Sequence, residues 1–299
     1  MSRTTLQASG SSDALWLARE AIAKRPLLIL TASARDAERL REEMAWFDPK
    51  LAVHRLPDWE ILPYDQFSPH PDLVSERLST LWQFAGGEFD AGIVPVTTAL
   101  QRLPPRSYLA GRTFQLKARD RLDLEALRAQ LVLAGYSHVQ QVMSPGEFCV
   151  RGGLIDMFPT GSPVPYRIDL LGQEIETIRT FDVDTQRSIY PVSEVRMLPA
   201  REFPLDEEGR AHFRESFRER FEGDPTRSRV YKDVSNGIAP AGVECYLPLF
   251  FDATATLFDY LPPVTCVIHG DVSAAAEAFW KDLKSRYDLL RGDRDRPLL

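Results

Sequence analysis

Two periods alternate along the first hundred residues. Over 11–24, Leu15, Ala18 and Ile22 fall on one helical face, and over 34–47 Ala37, Leu40, Met44 and Phe47 repeat at the same spacing. This predicts two amphipathic helices. Between them Leu27, Leu28, Ile29 and Leu30 form a wholly apolar run behind Pro26, as in a strand buried on both faces of a parallel sheet. Further strands are predicted from Val53 and over 92–96, with a helix over 75–84. Strand, helix, strand, helix, strand is the order of a doubly wound parallel sheet. The stretch 56–75 holds Pro57, Pro63, Pro69 and Pro71 among Trp59, Tyr64 and Phe67. The prolines predict an irregular loop, and the aromatics one that is packed down.

The texture changes after Pro104 and Pro105. Residues 113–117 alternate like a strand, and Asp123 caps a helix predicted to run to Ala134 and stop at Gly135. Strands follow over 148–158, 166–171, 175–181 and 195–198, with Gly172-Gln173 as a hairpin turn. Helices return over 206–222, where Phe213, Phe217 and Phe221 lie four apart before Gly223, and over 273–290, after a strand at 264–268. The charged end, 291–299, reads as a linker. The chain thus divides into an α/β part (1–112), an inserted α+β domain (113–199) and a helical second part (200–299). The fold class is α/β, a parallel sheet flanked by helices and interrupted by a smaller α+β domain.

Composition narrows the function. The 299 residues are 44% hydrophobic and 26% charged, with 36 Lys+Arg against 43 Asp+Glu, hence a net charge of -7. Residues 113–199 hold 9 basic and 11 acidic side chains, and the remainder 27 and 32. Neither part has the basic excess of a general nucleic-acid binder. Three cysteines without a C-x-x-C pair argue against a disulfide scaffold or a cysteine zinc site and point to the cytoplasm. The first ten residues lack the apolar core of a signal peptide.

A nucleotide-binding P-loop needs a Gly-Lys step, because backbone N–H groups wrap the phosphates while the lysine reaches the terminal ones. None of the six lysines follows a glycine. Ala8-Ser9-Gly10-Ser11-Ser12-Asp13 stands where a P-loop would precede the first helix, with the small residues but no lysine, and Asp13 would repel a phosphate. The only Asp-Glu step, Asp206-Glu207, follows no predicted strand. No H-E-x-x-H or G-x-S-x-G motif occurs. No catalytic residue, cofactor site or metal site is therefore assigned.

Several segments carry a family resemblance. They are the run from Leu56 through Pro57, Asp58, Trp59 and Glu60 to Asp65, then Ser68-Pro69-His70 with Ser75-Glu76-Arg77-Leu78, and the run from Arg151 through Gly152 and Gly153 to Pro159. Arg167-Ile168-Asp169, the segment from Phe181 to Arg187, and Pro240-Ala241-Gly242-Val243-Glu244 extend it. The chain resembles the amino-terminal, UvrB-like part of the bacterial transcription-repair coupling factors (Mfd), over nearly its whole length. The resemblance implies a helicase-like motor domain that has lost its ATP site, and an inserted domain that binds UvrA. It implies a non-catalytic adaptor in nucleotide excision repair, with RNA polymerase and DNA engaged by other regions of a longer translocase. It further implies that UvrA recognition falls on Arg151, Arg167 and Leu171, the last a departure from the phenylalanine often found there. Strand alternation independently places Arg167, Asp169 and Leu171 on one face. Two rival expectations remain: a helicase-like ATPase, and intramolecular docking of this region on the carboxy-terminal part.

Overall fold

The computed structural model describes residues 7, 10–293 and 295–299. Most of the polar start, with Ala8 and Ser9 of the glycine-serine stretch, lies outside the described residues. In chain order the elements are α1 (Ser12–Ala23), β1 (Leu27–Thr31), α2 (Ala34–Phe47), β2 (Val53–Arg55), α3 (Pro71–Gly86), β3 (Ala91–Pro95), the short α4 (Val96–Ala99) and α5 (Arg106–Gly111), and β4 (Phe114–Lys117). Then come α6 (Leu124–Leu133), β5 (Ser137–His138), β6 (Glu147–Arg151), β7 (Leu154–Phe158), β8 (Tyr166–Leu171), β9 (Glu174–Phe181), β10 (Ser188–Val192) and β11 (Glu194–Met197). The chain continues with α7 (Glu207–Arg220), α8 (Arg229–Ser235), α9 (Leu257–Tyr260), β12 (Thr265–His269) and α10 (Val272–Leu290). The fold is mixed α/β, with one parallel sheet flanked by helices and two antiparallel sheets.

Two compact units emerge. The first comprises 1–58, 80–101 and 256–282. Its four-stranded sheet runs β12-β1-β3-β2, all parallel. The apolar run at Leu27 lies in the middle of it, and one face packs against Ala14, Leu17, Ala18 and Ala21 of α1 and Ala37, Leu40 and Met44 of α2. The α1 stripe is offset from the sequence expectation. Ile22 is 50% exposed, because the small residues Ala14, Ala18 and Ala21 take the sheet side. α2 starts where Ser33 accepts the Asp36 N–H, a regular N-cap.

The second unit comprises 59–79, 102–255 and 283–299. Its six-stranded sheet runs β10-β9-β8-β7-β6-β5, and β11 pairs with β4 as a separate ribbon. The expected single strand over 148–158 is two strands, since Gly152 adopts φ +60° and turns the chain into the β6–β7 hairpin. β10, unpredicted, contains Pro191 and forms the sheet edge, the place where a strand tolerates proline. The Asp123 side chain accepts the Glu125 and Ala126 N–H groups and starts α6 as expected. α6 and the inner sheet face enclose Leu127, Leu131, Phe148, Ile155, Met157, Ile168, Ile175 and Ile178. Phe213 and Phe217 of α7 enter a further core with Tyr231, Tyr246 and Phe250, whereas Phe221 ends the helix and is only partly buried.

The proline-rich 56–75 segment is less irregular than expected. Pro71 is the first residue of α3, where its missing N–H costs nothing. Trp59 is pinned, its Nε1 donating to Glu202 at 3.2 Å. Glu202 also pairs with the fully buried Arg77, whose Nε donates at 2.6 Å and whose guanidinium lies 4.9 Å from the Trp59 ring centroid. Two of the motifs that carry the family resemblance therefore meet in one buried ion pair.

Candidate functional site

The outer face of the six-stranded sheet collects the three residues singled out from the sequence. Cross-strand register places Cys149, Asp156, Arg167 and Arg179 side by side in one row, on β6 to β9. The adjacent row is Arg151, Leu154, Asp169 and Thr177. Leu171 ends β8 on the same face, opposite Glu174. Two-residue turns with glycine at the first position, Gly152 (φ +60°) and Gly172 (φ +66°), close the flanking hairpins. They set Arg151 and Leu171 at the same end of the sheet, on β6 and β8, the two strands that flank β7. Leu171 is 72% exposed, an apolar side chain facing water.

The two arginines differ in their surroundings. Arg151 is exposed. Its Nη2 donates to the Gln140 carbonyl at 2.9 Å and its Nε to Cys149 Sγ at 3.3 Å, both uncharged partners. Arg167 is largely covered, with a side chain 17% exposed. Its Nε and Nη2 donate to the two oxygens of Asp156 at 2.7 and 2.9 Å, a bidentate pair, and Nη1 donates to the Gln186 carbonyl at 3.0 Å. The Phe181 ring lies beneath it, 5.0 Å from the guanidinium carbon. The Asp156 carboxylate raises the Arg167 pKa above its ordinary value. The alternative pairing of Arg167 with Asp169 across solvent does not occur: Asp169 accepts the Thr177 hydroxyl at 2.8 Å instead.

Asp156, only 2% exposed, was missed in the sequence. The signal was present, since an aspartate inside Leu154-Ile155-Asp156-Met157-Phe158 has to be paired if that strand is buried. Gln186 was missed as well. It sits in the left-handed region at φ +58°, and its Nε2 donates to the Val183 carbonyl at 2.7 Å and the Val142 carbonyl at 3.2 Å. It ties two loops together beside Arg167.

In the first unit, Asp13 lies in the opening turn of α1 and is already engaged. Arg39 donates to both its oxygens at 3.2 and 2.7 Å, the Ala14 N–H donates at 2.7 Å, and His269 Nε2 lies 2.8 Å away. Burial works to raise its pKa, but the hydrogen bonds from Arg39 and His269 outweigh it and hold Asp13 at about 2. A carboxylate, an arginine and a histidine thus meet at the N-terminus of α1. Among the described residues no cluster of metal-ligating side chains occurs, and no helix is long and apolar enough to cross a membrane.

Comparison with known proteins bears on this face. Residues 114–203 match the family model described as the UvrB interaction domain. The chain is 43% identical over 276 residues to the transcription-repair-coupling factor of Escherichia coli (strain K12), covering 92% of this chain and 24% of that protein. The chain matches the amino-terminal region of the transcription-repair coupling factors. The Haemophilus influenzae coupling factor is 42% identical over 275 residues, and that of Bacillus subtilis (strain 168) 26% identical over 267. The chain spans about a quarter of the length of these coupling factors. The matched UvrB interaction domain contains the whole six-stranded sheet, and so Arg151, Arg167 and Leu171.

Proposed function

We propose that this region is a non-catalytic adaptor that recruits UvrA, and through it excision repair, to RNA polymerase stalled at DNA damage. The observation that supports it best is the UvrB interaction domain over 114–203, whose outer sheet face carries an exposed arginine, a largely covered one and an exposed leucine. Arginine is enriched in protein interfaces, and an exposed apolar anchor beside it supplies the area that charge alone does not. On this reading UvrA docks on Arg151, Arg167 and Leu171, while polymerase and DNA are engaged elsewhere in a longer protein. The engaged Asp13 supports the non-catalytic half, since a nucleotide phosphate would meet a carboxylate.

Titration of purified UvrA with the chain and with Leu171→Asp tests the reading. Saturable binding is expected, weakened at least tenfold by a carboxylate placed in an apolar contact. Equal binding of both proteins refutes the surface. In the same preparations ATP hydrolysis is expected to stay at the level of a mock purification, and magnesium-dependent turnover above it refutes the non-catalytic assignment.

A further inference from the structure

The two arginines of this face have opposite electrostatic standing. Arg167 stands on the outer face, across from a carboxylate on β7 that takes two of its N–H groups, so the pair carries no net charge. Of its five N–H groups, three are committed to Asp156 and Gln186, and two remain for a partner. Those two are fixed in direction, because the fork is clamped from the side by a side chain that is itself 2% exposed, from below by Phe181, and at one tip by a loop carbonyl. Arg151 is clamped less and neutralised not at all, since both its acceptors are uncharged.

We infer that Asp156 is a positioning residue for partner recognition, and that the face divides its work: Arg167, held by Asp156 and Gln186, reads an acceptor on the partner by geometry, whereas Arg151 supplies the net charge that attracts an acidic partner surface. This deepens the proposed UvrA contact and rests on it. Asp156 does not touch the partner; it acts through Arg167. A guanidinium pre-set in one orientation loses little freedom on binding, which is the advantage of a buried clamp over a solvent-exposed side chain. Charge left uncompensated at the rim steers association and makes it sensitive to salt, whereas a neutral pair does not.

The test uses the whole chain and purified UvrA, with thermal melting of every variant. Leu171→Asp serves as the control for the surface itself: if it binds like the parent, the proposed interface fails, and with it this inference. If Leu171→Asp weakens binding, the clamp is judged by a double-mutant cycle. Asp156→Asn and Arg167→Ala are each expected to weaken binding about tenfold or more, and Asp156→Asn to have less than a twofold further effect in the Arg167→Ala background. An equal loss in both backgrounds shows that Asp156 does not act through Arg167 and overturns the proposal. Should Asp156→Asn or Arg167→Ala fail to fold, Arg167→Lys decides: it keeps the charge but cannot make the bidentate fork, and binding at parental affinity overturns the clamp. For the division of work, the affinity is followed against salt. Arg151→Gln is expected to flatten the salt dependence, and the charge-conserving double variant Asp156→Asn/Arg167→Gln to lower affinity with the slope unchanged. The reverse pattern overturns it.

Discussion

Arg151 and Arg167 look equivalent in the sequence, and the structure makes them different experiments. Reversing the exposed Arg151 buries no charge, so Arg151→Glu is expected to shift stability by about 0.5 kcal/mol or less. Arg167→Glu removes the partner of a buried carboxylate and sets a second carboxylate against it. Breaking a buried pair from one side costs roughly 3–5 kcal/mol, because the remaining charge is left uncompensated. A structurally silent replacement is therefore expected at Arg151 and a destabilising one at Arg167. Thermal melting checks the contrast: indistinguishable melts for Arg151→Glu and Arg167→Glu would show that Asp156 is not the buried charge described here.

The strands, helices and turns obey local rules, with exceptions where packing decides. Asp123 and Gly172 act as their chemistry requires, whereas the α1 stripe rotates away from Ile22 toward three alanines. A close approach explains the glycine of β3. A Cβ on Gly92 would sit 2.8 Å from two ring carbons of Phe84 on α3, and Phe84 is fully buried. That ring has little room to yield within a close-packed core. Gly92→Ala is therefore expected to destabilise by roughly 1–3 kcal/mol, although alanine is the better residue for an ordinary strand. Urea unfolding of the variant measures it, and a midpoint equal to or above the parent's would show that Phe84 moves aside freely.

For the molecule as a whole, net charge and ion pairing govern the response to solvent. The -7 balance opposes general affinity for DNA. Acid should weaken the Asp13 cluster only below about pH 4. Its folded pKa of about 2 lies below the ordinary 3.8, so its contribution is complete above about pH 4 and is lost as pH falls toward 2. With a side chain 16% exposed, the shift is worth about 2 kcal/mol at neutral pH. Asp13→Asn is expected to be less stable than the parent by about that amount at pH 7, with the gap narrowing below pH 4. A gap that stays constant from pH 7 to pH 3 would show that Asp13 contributes through its shape and not its charge.

Much of the fold was legible in the chain because its signals are local. The apolar run at Leu27, the cap at Asp123, the Gly172 turn and the alternation that sets Arg167, Asp169 and Leu171 on one face each follow from backbone geometry over a few residues. The missing Gly-Lys step was equally plain. What spacing could not supply was the choice of partners far apart in sequence. Nothing local says that β12, more than 230 residues after β1, lies beside it in parallel register, nor that Trp59 and Arg77 converge on Glu202. Nor does it say that Arg167 pairs with Asp156 rather than with Asp169 two residues away. Along one strand Asp169 shares its face with Arg167 but stands a full pleat repeat distant, whereas the antiparallel register of β7 and β8 brings Asp156 directly opposite. The sequence by itself determined that Arg167, Asp169 and Leu171 share one face of their strand. Tertiary structure decided which of its charges are cancelled, because cancellation depends on register between strands and on burial, and neither is written in the order of residues.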